Sequence, residues 1–185
     1  MKRRPRAAND NDGLYRRLRL ARPAWRDALF GAIGWGGAMG LSAQAALWIN
    51  IAAQTSHYWS LSALWFAGGM LAFPFALFAI RFLSRNRPGK IAFAAAIVCL
   101  SLATVLVTAL IFAVVYRNFY AQWHGPFPSR LWLLQLVFTT AAALYQFAVI
   151  GMRLYLPLGA IFLLAASLGI ARRHPDPTRR RVFPS

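Results

Sequence analysis

Acidic residues are scarce in this chain, and charged residues of either sign are missing from its long apolar stretches. The 185 residues include 21 Lys and Arg but only four Asp and Glu, which gives a formal net charge of +17. From Ala28 to Ile80 the chain runs 53 residues without a charge. A soluble domain of this size cannot accommodate such a stretch, whereas about 20 apolar residues are enough to cross a hydrocarbon core of ~30 Å.

Three further uncharged segments follow, at Ile91–Tyr116, Leu131–Met152 and Leu154–Ala171. The pattern predicts an all-α fold, a polytopic transmembrane helical bundle with five hydrophobic helices. We expect these helices at about 28–53, 61–80, 91–116, 131–151 and 154–171, within a transmembrane domain that covers 28–171. A basic tail at 1–27, which includes a short amphipathic juxtamembrane helix, and a second basic tail at 172–185 flank this domain.

The distribution of basic residues predicts the orientation of the first three spans. Nine Lys and Arg precede the first apolar stretch, none occurs in the connection 53–60, and four occur in the connection 81–90. The third connection, 117–130, has only its two terminal arginines. Since cytoplasmic connections are enriched in Lys and Arg, this alternation places the N-terminus in the cytoplasm. We expect an integral protein of a bacterial inner (cytoplasmic) membrane.

The last third of the chain has two interpretations. Arg153 divides 41 otherwise uncharged residues, Leu131 to Ala171, and one helix of that length would run ~60 Å, about twice the hydrocarbon thickness. Two helices joined by a cytoplasmic turn at Arg153 give five spans, but then the C-terminal arginines lie outside, against the positive-inside rule. Four spans plus a short re-entrant or interfacial C-terminal segment keep every basic cluster inside.

The first helix carries small residues at four-residue spacing, including Ala32, Gly36 and Gly40. Small residues spaced in this way let two helix backbones approach closely within a membrane. The stripe therefore predicts a helix-packing face. Packing within the monomer is one use, and homo-oligomerisation or docking to a larger membrane protein is the other.

The fourth helix carries an intramembrane polar stripe of Gln135, Thr139 and Gln146. Their spacing of i, i+4 and i+11 places them on one helix face, and unpaired amides are costly in lipid. We therefore expect this face to point into the bundle. Interhelical hydrogen bonds are one interpretation of the stripe, and a path for a substrate is the other.

Few groups that carry chemistry occur in the predicted spans. All four acidic residues lie outside them, and the lone Cys99 can form neither an intramolecular disulfide nor a cysteine metal cage. A proton-coupled carrier usually needs an ionisable group within the membrane, and metal-assisted phosphoryl transfer needs a carboxylate cluster. We therefore expect no enzyme activity, no catalytic residue and no cofactor.

Two histidines are the only candidates for a metal site. His57 lies in the first connection and His124 in the third, so both are expected on the outer side of the membrane. Two imidazoles that meet there could bind a metal ion or a haem. The alternative is an aromatic belt at the headgroup level, where Trp48 and Trp65 are also expected. We favour the belt and predict no metal.

The positive charge lies beside apolar spans, where anionic phospholipid headgroups of the cytoplasmic leaflet are nearer than nucleic acid. The segment Leu14–Arg22 is amphipathic, and we expect it to bind lipid headgroups through Arg16, Arg17, Arg19 and Arg22. The sequence therefore predicts the bilayer as a partner, and it leaves open a membrane-protein partner or a homo-oligomer.

Three functions remain after these exclusions. The first is a non-enzymatic accessory, assembly or scaffold protein that acts through helix packing and a basic cytoplasmic face. The second is a small transporter or flippase for lipid-linked or uncharged solutes. The third is a membrane subunit that holds haem or a metal ion through the outer histidines.

Overall fold

The computed structural model describes residues 18–49, 57–85 and 87–173, and within these ranges the chain is helical and contains no strand. Its five main helices are α1 (Trp25–Ile49), α2 (Tyr58–Ser84), α3 (Gly89–Tyr120), α4 (Arg130–Val149) and α5 (Leu158–Arg172). Short 3₁₀ segments, Ala121–Trp123 and Gly151–Tyr155, follow α3 and α4. The prediction of an all-α transmembrane bundle with five hydrophobic helices is confirmed.

Three segments are long and apolar enough to cross a membrane, namely Tyr58–Ser84, Gly89–Trp123 and Arg130–Val149. The 25 residues of α1 also reach ~37 Å, but the glycines and Gln44 lower the hydropathy of that helix. The 15 residues of α5 reach only ~22 Å, which is less than the hydrocarbon thickness. The chain is an integral membrane protein.

The helices extend past most of the predicted limits. The second begins three residues earlier and ends four residues later than 61–80, and the third ends four residues later than 116. Hydropathy marks the hydrocarbon region, whereas the backbone hydrogen bonds of a helix continue into the headgroup layer. The predicted end of the first helix, at 50–53, lies outside the described residues, as do most of the two predicted tails.

The first three helices pack side by side and antiparallel, so that α2 lies between α1 and α3. One buried cluster surrounds Trp65 and includes Leu47 and Phe147, and a second surrounds Trp35 and includes Ile80 and Leu100. A hydrogen bond links α1 to α3, because the Trp35 indole N–H donates to the Thr104 hydroxyl at 2.9 Å. Both α4 and α5 pack on α3, and the 3₁₀ segment between them packs on α1.

Four helix ends meet at one end of the bundle. Near the start of α1, Asp27 accepts from Arg81 of α2 at 3.0 Å, and Gly89 at the start of α3 lies beside the carbonyl of Ala171 in the last turn of α5. We call this end the basic face, and its described cationic residues are Arg19, Arg22, Arg26, Arg81, Arg85, Arg87, Lys90, Arg172 and Arg173. The last turn of α5 therefore lies at the same end of the bundle as the start of α1.

Together, α4 and α5 run from one end of the bundle to the other, with the 3₁₀ segment between them. At the end opposite the basic face, the Arg117 guanidinium lies 5.6 Å from the ring centroid of Trp132, and the Gly125 amide donates to Gln135 at 2.8 Å. The path therefore starts beside the end of α3 and finishes at the basic face. The break between the two helices lies inside the bundle, beside Ser42 and Trp65, and not at a turn on the basic face.

Candidate functional site at an interrupted crossing

The break between α4 and α5 is held inside the bundle by one serine of α1. The Ser42 hydroxyl donates to the Leu154 carbonyl at 3.0 Å and accepts from the Gly159 amide at 2.9 Å. Ser42 is fully buried and lies seven residues before the end of α1, about 10 Å along the helix axis. Backbone groups freed by a helix break are tolerated at membrane depth only when protein partners or an aqueous cavity satisfy them. One side chain satisfies two of these groups.

Aromatic packing fixes the same break from the side of α2. The Trp65 ring stacks on Phe147 of α4 at a centroid distance of 5.8 Å and lies 6.0 Å from Tyr155 in the 3₁₀ segment. The Phe112 ring of α3 completes the group, with its centroid 6.5 Å from that of Trp65. Trp65 is only 1% exposed, so it is a core residue and not a member of an aromatic belt, which corrects the expectation from its position near the start of α2.

Gly151 allows this close packing. A Cβ atom at that position would lie 2.9 Å from the Phe147 ring and 3.3 Å from the Trp65 ring, closer than ordinary van der Waals contact. The residue therefore lets the chain turn directly against the aromatic rings. The break consists of five 3₁₀ residues followed by Leu156 and Pro157, after which α5 begins.

Two cavities open on either side of this break. The first has a volume of about 320 Å³ and is lined mainly by apolar side chains of α1, α3 and α5, among them Met39, Val105 and Leu163. The second has a volume of about 390 Å³ and lies between α1, α2, α3 and α4, with Leu61 and Phe112 in its wall. Arg153 lines both cavities.

The charge of Arg153 has no acidic partner in the described part of the chain. Among the described residues the acidic group is Asp27, which pairs with Arg81 at the basic face. The Arg153 side chain is exposed, whereas its neighbour Leu154 is buried. The break therefore presents a single cation beside two apolar cavities.

The predicted helix-packing residues lie between α1 and α2. A Cβ atom at Gly36 would lie 2.8 Å from the Phe66 carbonyl oxygen, and one at Gly40 would lie 3.2 Å from the Phe66 side chain. Ala32 is buried on the same stripe. A Cβ atom at Gly34 or at Gly37, by contrast, would have no neighbouring atom within 4 Å. The stripe serves packing within this monomer.

The predicted polar stripe of α4 does not form an interhelical network. Gln135 accepts from the Gly125 amide, the Thr139 hydroxyl donates to the carbonyl of Gln135 in its own helix at 2.6 Å, and Gln146 is exposed. Gln135 and Thr139 are half-buried, and Gln146 lines the second cavity although it is exposed. The buried residues of α4 are Ala143 and Phe147, and the polar stripe lies along the edge of that buried face.

The other predicted site residues lie at the two ends of the bundle. Arg19 and Arg22 are exposed near the start of α1, while Arg16 and Arg17 lie outside the described residues. His57 directly precedes α2, and His124 follows the 3₁₀ turn after α3. Across the described residues, no group of three His, Cys, Asp or Glu side chains could hold a metal ion.

Sequence reasoning identified Arg153 as a break point but missed the cavities and the roles of Ser42 and Trp65. The usable signal was the grouping of Gly151, Arg153 and Pro157 within seven residues of an apolar stretch. A charge placed beside two helix-breaking residues indicates an interrupted membrane helix. The partners of that break lie about 90 to 110 residues earlier in the chain, and no local pattern points to them.

Comparison with protein-family models, with curated proteins and with solved structures gives no match. The function must therefore be inferred from the geometry of the bundle.

Proposed function

We propose that this chain is a non-enzymatic integral membrane protein of accessory, assembly or scaffold type, which lies with its basic face against an anionic leaflet and supports a larger membrane protein. The observation that carries this proposal is the convergence of four helix ends on one face. The contact between Arg81 and Asp27 brings α1 and α2 together there, and the approach of Gly89 to Ala171 adds α3 and α5.

The charge asymmetry between the two ends supports attachment to a lipid surface. Nine described cationic residues belong to the basic face, whereas the described arginines of the opposite end are Arg117 and Arg130. Each Lys or Arg near an anionic membrane surface contributes roughly 1 kcal/mol to binding. Several such residues on one face are enough to fix how deep the bundle sits in the bilayer and how it is oriented.

By the positive-inside rule, the basic face is cytoplasmic, and with it the start of α1 and the end of α5. We propose a bacterial inner membrane as the location of the protein. The four-crossing path satisfies the rule at both ends of the chain, because the arginines at 172 and 173 share the basic face with Arg26 and Arg81.

The surface of α4 supports a partner within the membrane. Only Ala143 and Phe147 of its 20 residues are buried, although α4 is one of the segments that can cross a bilayer. Large apolar side chains cover the remaining surface, including Leu134, Phe138 and Tyr145. A helix that contributes so little to its own bundle is available to pack against a helix of another protein.

The test is purification of the full chain from its native membrane in lipid nanodiscs, with the stoichiometry of co-purified proteins measured by mass spectrometry. We expect one partner at a fixed ratio. Replacing Arg87, Arg172 and Arg173 together by Gln should reduce that ratio, because the bundle loses its orientation at the anionic surface. The matched control replaces Arg117 and Arg130 by Gln and should retain the partner.

A parent protein that carries no partner at a fixed ratio would contradict the scaffold proposal. If the basic-face variant and the control lose the same amount of co-purified partner, the basic face does not orient the complex.

A second candidate function is a small transporter or flippase for lipid-linked or uncharged solutes. The observation that favours it is the interrupted crossing, since transporters commonly build their binding sites from discontinuous membrane helices. Liposomes that contain the purified protein and a fluorescent phospholipid provide the test. Faster exchange between leaflets than in protein-free liposomes would favour this function, and an unchanged rate would argue against it.

A further inference from the structure

Arg153 is a cation whose side chain is exposed but whose backbone segment lies within the bundle. Arg153 belongs to the 3₁₀ segment that Ser42 and Trp65 hold about 10 Å below the ends of their helices. Ionisable side chains at membrane depth are costly unless they pair, reach the interface or face water. Since the one described carboxylate, Asp27, is paired with Arg81 at the basic face, the described residues offer Arg153 no such partner.

The surroundings of Arg153 are suited to hydrocarbon. The two cavities that it lines have volumes of about 320 and 390 Å³, within the range of about 300–1,000 Å³ that is typical of small-molecule sites. Trp35, Met39 and Leu163 line the first, and Leu47 and Leu61 line the second. Each cavity therefore offers apolar space, and Arg153 lines both.

A buried polar atom lies beside the second cavity. The indole N–H of Trp65 has no hydrogen-bond partner in the described structure, although the residue is 1% exposed and lines the cavity. A buried donor that lacks a partner is costly, and indole nitrogen can only donate. A ligand with acceptor oxygens near the break would satisfy this donor as well as the guanidinium group.

We propose that the break between α4 and α5 is a binding site for one anionic phospholipid. The phosphate contacts Arg153, and one acyl chain enters each of the two cavities. Arginine suits this role because its planar group of N–H donors matches phosphate geometry, and its long aliphatic stem can reach from an apolar wall towards the headgroup layer. The inference applies equally to a scaffold and to a carrier.

The charge of the site selects the headgroup. A phosphatidylglycerol headgroup carries one negative charge, which a single arginine neutralises. A phosphatidylethanolamine headgroup adds an ammonium group, for which the described residues around the break supply no carboxylate. We therefore expect the site to prefer phosphatidylglycerol to phosphatidylethanolamine.

The experiment is native mass spectrometry of the full-length protein in detergent, titrated with phosphatidylglycerol or with phosphatidylethanolamine of the same acyl chains. We expect one tight phosphatidylglycerol site, which Arg153→Gln weakens about tenfold or more, as the loss of a hydrogen bond to a charged group predicts. Arg153→Lys should retain part of the affinity. Arg130→Gln, which removes an exposed arginine at the opposite end from the basic face, should leave the affinity unchanged.

A second pair of variants tests the cavity without changing the charge. Ala160→Phe fills the first cavity, whereas Ala165→Phe adds the same side chain to an exposed position of α5 that does not line it. Only Ala160→Phe should weaken binding. Equal affinity of the parent and Arg153→Gln, equal binding of the two headgroups, or equal behaviour of the two alanine variants would each overturn the proposal. None of these outcomes depends on whether a protein partner co-purifies.

Discussion

The Ser42 hydroxyl lies 3.0 Å from the carbonyl oxygen of Leu154, although 112 residues separate the two in the chain. This contact places the break between α4 and α5 inside the bundle, beside the cavities that Arg153 lines. It joins a residue of α1 to the 3₁₀ segment between α4 and α5. The geometry of the candidate site therefore depends on a long-range polar contact in a largely apolar protein.

We predict that Ser42→Ala destabilises the protein by about 1–3 kcal/mol, the penalty for leaving buried hydrogen-bonding groups unsatisfied. The Leu154 carbonyl and the Gly159 amide both lose their partner in this variant. Reversible unfolding of the purified protein in mixed micelles measures the change. Thr140→Ala is the control, because the Thr140 hydroxyl donates only to the Leu136 carbonyl of its own helix. Equal stability of both variants would contradict the anchoring role of Ser42.

Two glycines of α1 should respond differently to the same small substitution. Gly36→Ala places a methyl group 2.8 Å from the Phe66 carbonyl oxygen, and relief of that overlap should cost about 1–3 kcal/mol. Gly34→Ala meets no atom within 4 Å and improves helix propensity, so its stability should be equal to that of the parent or higher. Thermal unfolding in detergent compares the stability of the two variants with that of the parent. A loss of stability in Gly34→Ala equal to that in Gly36→Ala would show that the stripe does not govern packing.

Phe147→Ala should destabilise the bundle far more than Phe138→Ala. The exposed fractions are 2% for Phe147 and 71% for Phe138, although both belong to α4. Core Phe→Ala substitutions cost about 3–5 kcal/mol in soluble proteins, and we expect the lower end of that range because lipid is itself apolar. Reversible unfolding in mixed micelles measures the change in the free energy of unfolding for each variant. Similar losses for the two variants would mean that α4 does not dock through Phe147.

Both ends of the described chain should lie on the same side of the membrane. We expect Arg87→Cys and Arg173→Cys, each in a Cys99→Ser background, to react with a membrane-impermeant maleimide only from the cytoplasmic side. Gln122→Cys should react from the opposite side. The assay uses inverted and right-side-out vesicles. Labelling of position 173 from the same side as position 122 would restore the five-span topology and contradict the interrupted crossing.

Much of the fold follows from composition. The 53 uncharged residues from Ala28 to Ile80 predict membrane helices. The basic connection at 81–90 predicts that the chain comes back to the side of the membrane on which the N-terminal tail lies. The close packing of Gly36 and Gly40 was also predictable, because small residues four apart form a groove on any helix. For α4 the spacing of Gln135 and Gln146 indicated a shared face, but it did not reveal that Ala143 and Phe147 beside that face make the buried contact.

Segment length, the alternation of charge and the break at Arg153 were determined by the sequence itself, since each depends on whether a residue is compatible with lipid or water. The depth of that break, the burial of Trp65 and the return of α5 to the basic face were decided only by tertiary structure. The physical reason is that the contacting residues are far apart in the sequence. Ser42 contacts Leu154, which lies 112 residues later, and Trp65 contacts Tyr155, which lies 90 residues later. Hydropathy specifies which segments enter the membrane, and contacts between distant helices specify where within it each segment stops.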